Sequence, residues 1–419
     1  MENSGNRHDP VAALAGVRIL DLGRVLAAPW GTQMLADLGA EVIKVERLAG
    51  SDERLYGPAC LPGPDGRRST HSAFHNCANR NKKSIAVDLA TPRGRDLILA
   101  LAGECDVLVE NFVPGKADKL GLGYEAVRAV NPRIIYASLS GYGQDGPLSD
   151  RPGYDAVFQA RSGLMSVTGI PDGQPGAGPM RVGPSIVDVT TGYNFAIGIL
   201  GALYHRDAAG GEGQRIDVAL LDSAIALQSH TLANYLISGE QPPRQGSAGN
   251  GGHPAAVFEC LDGAIYISAG TDQFFGTMCR VLGCEELIDD PRFPTIGVRG
   301  ENREALNAVI VPLIARWRTA DLFAALEAAR VPCSLVNEYD DVRRDEQVVH
   351  RRIFRSFPGA TGVVGEVPTV ANPIRYSGTP IRYDLAPPAI GEHTDAVLGD
   401  LLHLDAGTLA GLRRDRVIG

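Results

Sequence analysis

The chain has 419 residues, 44% of them hydrophobic and 21% charged, a balance that excludes collagen-like, coiled-coil and wholly disordered chains. Its length exceeds what one compact core usually holds, so two domains, or a large domain carrying a smaller one, are expected. Forty-nine acidic against forty basic residues give a net charge of −9 with no basic stripe, which excludes a nucleic-acid partner from the expectations.

The first segment, residues 1–12, is a polar tail; Met1 to Pro10 has no apolar core, so neither a signal nor a transit peptide is expected and a cytoplasmic location follows. Val17 to Leu22 predicts a strand, Pro29 sits in the first turn of a helix reaching Leu38, Gly39 stops it, and Glu41 to Glu46 is the next strand. The alternation continues with the strand Ser84 to Asp88, a helix Arg93 to Ala102, the strand Asp106 to Val109, a helix Tyr124 to Val130 and the strand Arg133 to Ser138. Such alternation predicts an α/β fold with a doubly wound parallel sheet, whose ligands bind where loops leave the carboxyl ends of the strands. Here those loops are Leu22 to Pro29, Arg47 to Asp52, Glu110 to Gly115 and Leu139 to Pro147.

Ser185 to Arg206 and Leu220 to Ile237 have the spacing of long helices. The longest apolar run, Phe195 to Tyr204, is broken by Gly198 and Gly201 and reaches about half of the ~20 residues of a membrane span, so no membrane partner is expected. Ser238 to Asn250 is rich in turn residues and marks a domain boundary. A hairpin around Val257 to Ser268 and helices at Asp272 to Leu282 and Asn302 to Arg316 predict a smaller α+β domain. The resulting division is 13–237 for the first part of the large domain, 238–345 for the small domain with its linkers, and 346–419 for a Pro- and Gly-rich return segment whose last helix runs near Thr394 to Leu402. Seven cysteines, with no Cys-x-x-Cys pair and no Cys/His cluster at zinc spacing, read as reduced thiols, and no metal is expected.

The first strand-to-helix turn, Asp21-Leu-Gly-Arg-Val-Leu-Ala-Ala-Pro29, contains neither G-x-G-x-x-G nor a Walker pattern, so an ordinary dinucleotide or P-loop site is not expected. It offers a Gly, an Arg and a helix amino terminus, joined further along by Arg47, Asn79-Arg-Asn-Lys-Lys83, Asn111 and Lys119. These groups suit a phosphorylated ligand, or are an ordinary solvated surface.

Several motifs in order carry a resemblance: Leu14-Ala-Gly-Val-Arg-Ile-Leu-Asp-Leu22, Arg24-Val-Leu-Ala-Ala-Pro29, Leu35-Ala-Asp-Leu-Gly-Ala-Glu-Val-Ile-Lys-Val-Glu-Arg47, Asn79-Arg-Asn-Lys-Lys-Ser84, Val109-Glu-Asn-Phe-Val-Pro-Gly115, Ser140-Gly-Tyr-Gly143 and Pro152-Gly-Tyr-Asp155. The chain resembles the class III CoA-transferases of the CaiB/BaiF type from about residue 13 to 400. The resemblance implies a large Rossmann-like domain built from both chain ends, a small inserted domain, and a homodimer of interlinked chains. It implies coenzyme A, as acyl-CoA, and a small carboxylic acid as substrates.

The resemblance puts the nucleophile at Asp155; its carboxylate would form a mixed anhydride with the donor acyl group and then an aspartyl-CoA thioester. Read without the family, a lone Asp before a helix is an N-cap. Gly249-Asn-Gly-Gly-His-Pro254 resembles the glycine-rich loop that covers the reacting aspartyl group, with Gly249, Gly251, Gly252 and His253 as candidates, or is a flexible linker. For CoA the resemblance gives Arg24, Val25, Arg47, Asn111, Lys119 and Tyr142. Two departures from the formyl-CoA type stand out: Ser140 replaces a Lys, and Leu26 replaces a Gln that positions a small acid.

Arg181 resembles the dicarboxylate-using branch, since a second carboxylate needs a cation to offset its desolvation; the alternative is a surface Arg in a loop. The match through Gly121-Leu-Gly-Tyr124, Gly141-Tyr-Gly-Gln-Asp-Gly-Pro147 and Ala233-Asn-Tyr-Leu-Ile237 is similar to the succinyl-CoA:glutarate type, which implies a C4 to C6 dicarboxylate as acceptor and succinyl-CoA as donor. Two rivals remain. An α-methylacyl-CoA racemase pairs a His with the Asp, but no histidine lies between His75 and Asp155. A non-catalytic CoA-binding protein is the other.

Overall fold

The computed structural model describes residues 11–249 and 252–419. Most of the polar tail, and Gly251 of the glycine-rich motif, lie outside the described residues. The described residues form two compact units: 11–165, 181–241 and 351–419 make the first, and 166–180 with 242–249 and 252–350 make the second. The excursion 166–180 into the second unit has no counterpart in the sequence reading, which left it in the large domain.

In the first unit, β1 (Arg18–Asp21), α1 (Ala27–Asp37), β2 (Glu41–Glu46), β3 (Lys82–Ala86), α2 (Pro92–Gly103), β4 (Val107–Glu110), α3 (Tyr124–Val130) and β5 (Ile135–Ser140) follow one another. After them come α4 (Asp155–Arg161), α5 (Ile186–Ala209), β6 (Arg215–Ala219), α6 (Leu220–Ala226) and α7 (Ser229–Ser238). The six strands pair in parallel in the order β6-β5-β4-β1-β2-β3. The strand order therefore reverses between β1 and β4, and the two loops leaving their carboxyl ends diverge to open a crevice.

Alternating residues of the strands face two separate cores. Leu20, Leu22, Ile43, Val45, Ile85 and Leu108 pack with α2, α3 and the carboxyl-terminal segment. Ile19, Val42, Val107, Val109, Ile135 and Leu139 pack with α1, Phe158 of α4 and α5. Glycine lets α1 and α5 cross closely: a Cβ on Gly31 would lie 2.8 Å from the Gly192 carbonyl, and one on Gly192 would lie 2.7 Å from that of Ala27. The apolar run read as too short for a membrane span belongs to α5, which by length and composition could cross one. In this unit Val187, Phe195 and Ile199 of α5 are buried against the sheet and α1.

The single helix expected over Leu220 to Ile237 is two, α6 and α7, because Gln228 leaves the helical path and gives its amide to the carbonyls of Ser162 (3.1 Å) and Ala224 (2.9 Å). Strand β6 was not foreseen: it is an edge strand whose alternate residues are exposed. The second unit has its own core beneath a three-stranded antiparallel sheet of Ala255–Glu259, Ala264–Ser268 and Cys333–Leu335, packed by helices Asp272–Leu282, Arg303–Ile314 and Thr319–Ala328.

Candidate active site

The crevice at the β1/β4 reversal is held open by a reciprocal clamp. The Arg24 amide donates to Asn111 Oδ1 (3.0 Å), and Asn111 Nδ2 donates to the Arg24 carbonyl (2.9 Å). Beside it Val25 has φ +67°, a left-handed conformation costly for a β-branched residue, and its amide donates to Glu53 Oε2 at 3.3 Å. Glu53 is wholly buried and ion-paired to Lys44 at 3.1 Å. A buried charge on the short helical turn after β2 thus fixes the bend of the β1 loop.

Two clefts of about 270 Å³ each open from this clamp and share Arg24 and Phe112 as walls. One runs over the ends of β2 and β3 and is lined by Arg47, Val87, Leu89 and Lys116. The Arg24 guanidinium lies 5.2 Å from the Phe112 ring centre and Lys116 Nζ 5.7 Å, so two cations share one aromatic ring. Burial, and then Arg47, hold the Arg24 pKa below its ordinary value, against the opposing charges of Asp52 and Glu53. Arg47 pairs with Asp52 and donates to the Gly50 carbonyl at 3.3 Å.

The other cleft is lined by Val25, Leu26, Asn111, Ser140, Tyr154 and Asp188. Asp155, only 7% exposed, joins two of these walls: it follows Tyr154 as the first residue of α4, and it meets the amino terminus of α5. Asp155 Oδ2 accepts from the amides of Val187 (2.8 Å) and Asp188 (3.2 Å), and Oδ1 accepts from Gln159 Nε2 at 2.5 Å. The carboxylate therefore caps a helix other than its own, which its N-cap reading did not anticipate. Gln159 is itself fully buried, and its Oε1 accepts from the Val182 amide at 2.8 Å. That bond fixes which end of the Gln159 amide faces Asp155.

Asp188 is half-buried, and no described residue donates to its carboxyl group. Burial, reinforced by the charge of Asp155, pushes its pKa up to about 7.

Of the residues singled out in the sequence, Arg24, Val25, Leu26 and Asn111 meet in the cleft beside Asp155, and Arg47 lines the adjoining one. Lys119 is exposed and lines neither cleft; Lys116, one turn earlier, takes that place. Tyr142 packs edge-on to Phe158 at 5.1 Å and lines neither cleft. Ser140 lines the cleft while its hydroxyl accepts from the Gly143 amide at 2.9 Å. Arg181 is exposed and donates to the Gly183 carbonyl at 2.7 Å. Gly249, Gly252 and His253 belong to the second unit, where His253 is 1% exposed and Nε2 lies 2.8 Å from Asn307 Oδ1. Burial lowers its pKa to about 4.

Sequence reasoning missed Gln159, Asp188, Glu53 and Lys116. The spacing of four between Asp155 and Gln159 was the available signal. Ser185-Ile-Val-Asp188 has the form of a capping box, which would have given Asp188 a purely structural role, but Ser185 makes no side-chain cap.

Residues 14–394 match the family model described as CoA-transferase family III. Succinate–glutarate CoA-transferase of Agrobacterium fabrum is 40% identical over 402 residues, 96% of this chain and 98% of that protein. Succinyl-CoA:glutarate CoA-transferase of Homo sapiens is 40% identical over 410 residues, 98% of this chain and 88% of that protein. Among solved structures, a CaiB/BaiF family protein from Brucella suis superposes with a TM-score of 0.81 at 38% identity, covering 93% of this chain and 99% of that one. With a buried carboxylate at the head of a crevice lined by cations, and with likeness of this extent, the chain belongs to CoA-transferase family III.

Proposed function

We propose that the protein moves CoA from succinyl-CoA to a C4 to C6 dicarboxylic acid through covalent adducts of Asp155. The observation that carries this reading is Asp155 itself, a carboxylate fixed at both oxygens beside a cleft that opens at the strand-order reversal. The names of the relatives, succinate or succinyl-CoA with glutarate, support the choice of substrates.

In this mechanism an Asp155 oxygen bonds to the acyl carbon of the donor, the C–S bond breaks, and CoA leaves as thiolate. The thiolate attacks the aspartyl carbon of the mixed anhydride, releasing the donor acid as carboxylate and leaving aspartyl-CoA. The acceptor carboxylate then displaces the thiolate, which returns to the acceptor's acyl carbon and frees Asp155. No proton is gained or lost. Aspartate suits the task because its acyl adduct is reactive enough for a thiolate to reverse it.

In the same proposal the phosphates of CoA lie against Arg24, Arg47 and Lys116, and the pantetheine arm passes Val25 and Asn111 towards Asp155. Arg181 meets the distal carboxylate of the acid. It sits next to Val182, whose amide is bonded to Gln159, so it is tied by one side chain to the nucleophile. His71 and His75 are buried, at 1% and 0% exposure, and line neither cleft, so neither supplies the histidine that a racemase pairs with its Asp. A homodimer is part of the proposal and is checked by light scattering.

The test is mass spectrometry of the protein incubated with succinyl-CoA, trapped with hydroxylamine or borohydride and mapped to peptides, alongside a panel of dicarboxylic acids. Modification at Asp155 and a new acyl-CoA are expected. Asp155→Ala should abolish exchange and leave CoA binding, followed by calorimetry, nearly intact; retained turnover in that variant removes the assignment.

A further inference from the structure

Asp188 is a carboxylic acid of the Asp155 cleft to which the mechanism above gives no task. Its amide is bonded to Asp155 Oδ2 at 3.2 Å, and the residue lines the cleft with Arg24, Val25, Asn111 and Tyr154. An Asp in the first turn of a helix ordinarily offsets the positive end of the helix dipole as a charged group. Here that end is already met by the Asp155 carboxylate, through the amides of Val187 and Asp188. A second negative charge beside the first, half-buried and without a donor, is unfavourable, and one of two such carboxyls keeps its proton.

The groups around Asp188 bear this out. From α4 the charge that acts on it is Asp155, and Arg24 and Arg151 line the same cleft. The one charged residue of α1, Asp37, is bonded to Arg80 at 2.6 Å. Strand β5 ends in Ser140; on β6 Arg215 donates to Gln144 Oε1 and Asp217 accepts from the Gln144 amide; Asp222 of α6 is exposed.

We propose that Asp188 is a second catalytic carboxyl, a neutral acid whose O–H donates a hydrogen bond to the oxygen of the acyl carbonyl that Asp155 attacks. This rests on the transferase reading of the site. As the Asp155 oxygen bonds to the acyl carbon, the C=O electron pair moves onto the carbonyl oxygen, and the Asp188 proton stabilises that oxyanion without being transferred. When the oxyanion collapses, the C–S bond breaks, CoA leaves as thiolate, and Asp188 is still protonated. The same contact serves the reverse attack of thiolate on the acceptor's anhydride. With the Asp188 pKa raised to about 7, the acid form is present below that pH and is lost above it.

The experiment is kcat against pH with succinyl-CoA and glutarate for the wild type, Asp188→Ala and Asp188→Asn, each checked for folding by thermal melting and for CoA binding by calorimetry. Loss of one oxyanion donor lowers kcat by about 10²-fold, and that loss is expected in Asp188→Ala with KM for succinyl-CoA little changed. Wild-type kcat should fall as pH rises through about 7. Asp188→Asn, whose amide donates but does not titrate, should be more active than Asp188→Ala and lack the alkaline fall. Wild-type kcat in Asp188→Ala, or an alkaline fall that persists in Asp188→Asn, overturns the assignment. Should Asp188→Ala fail to fold, the pH profile of Asp188→Asn decides alone. No exchange in the wild type with any donor and acid sinks the transferase reading and this assignment with it, an outcome distinct from an active wild type matched by Asp188→Ala.

Discussion

Gln159 cannot turn its amide round without breaking the bond from Val182, so Asp155 Oδ1 always meets a donor. Gln159→Leu keeps the volume but leaves the Val182 amide and one Asp155 oxygen unpaired in a buried place, at a cost of about 1–3 kcal/mol per group. We expect kcat to fall about 10- to 100-fold with CoA binding unchanged, a split that steady-state kinetics and calorimetry resolve. Gln159→Glu should be worse at neutral pH and recover on acidification, because the new carboxylate repels Asp155 until it is protonated. At this scale the sequence made Asp155, Arg24, Val25 and Asn111 legible because they stand in local motifs. Gln159 and Asp188 were not, since their meaning depends on where α4 and α5 point. Arg181 is testable here too: Arg181→Met should raise KM for glutarate by about 10-fold while sparing KM for succinyl-CoA, as expected from loss of one charge-assisted bond.

Strands β1, β2 and β3 were readable as apolar runs, and their limits fall within two residues of those expected. Pattern alone did not show that these strands and the segments beside them also carry ions into the interior. Lys44 with Glu53, Lys82 with Asp21, Arg54 with Glu46 and Arg80 with Asp37 are all paired at 2% exposure or less. Burial would raise the Glu46 pKa, but the Arg54 hydrogen bonds and the charge of Lys44 hold it well below the usual carboxylate range. Its folded pKa is depressed, so the stability it contributes is present above the ordinary value of 4.5 and is lost as pH falls below it. Arg54→Met, which strands the buried Glu46 charge, should cost about 3–5 kcal/mol at pH 7 by urea denaturation. The deficit should shrink towards pH 4, where the unpaired Glu46 takes up a proton. An unchanged midpoint in Arg54→Met would show that the pair contributes nothing net.

Across the whole first unit, the last seventy or so residues close what the first ninety leave open. The Ser84 and Ala86 amides donate to His393 Nδ1 and Thr394 Oγ1, the Gly419 amide donates to the Ala86 carbonyl, and Asn81 and Asp37 take partners at Arg382 and Asn372. The outer edge of β3 is thus covered. Nothing periodic in residues 351–393 announces this, because the segment binds through single polar contacts, such as His393 Nδ1, Asn372 Nδ2 and the Arg382 carbonyl, and not through an apolar face. Ending the chain at His350 should leave that edge bare and give insoluble protein or a broad, non-cooperative melt; a soluble product with a sharp melt counts against the closing role. The buried ion pairs have a further consequence for how the chain finds its alignment. A slip of two residues in β2 keeps each side chain on its face and retains most apolar contacts, yet it takes Lys44 from Glu53 and Glu46 from Arg54 together. Misaligned sheets are therefore penalised by stranded charge, and the strands reject pairings that their valines and isoleucines would accept alike.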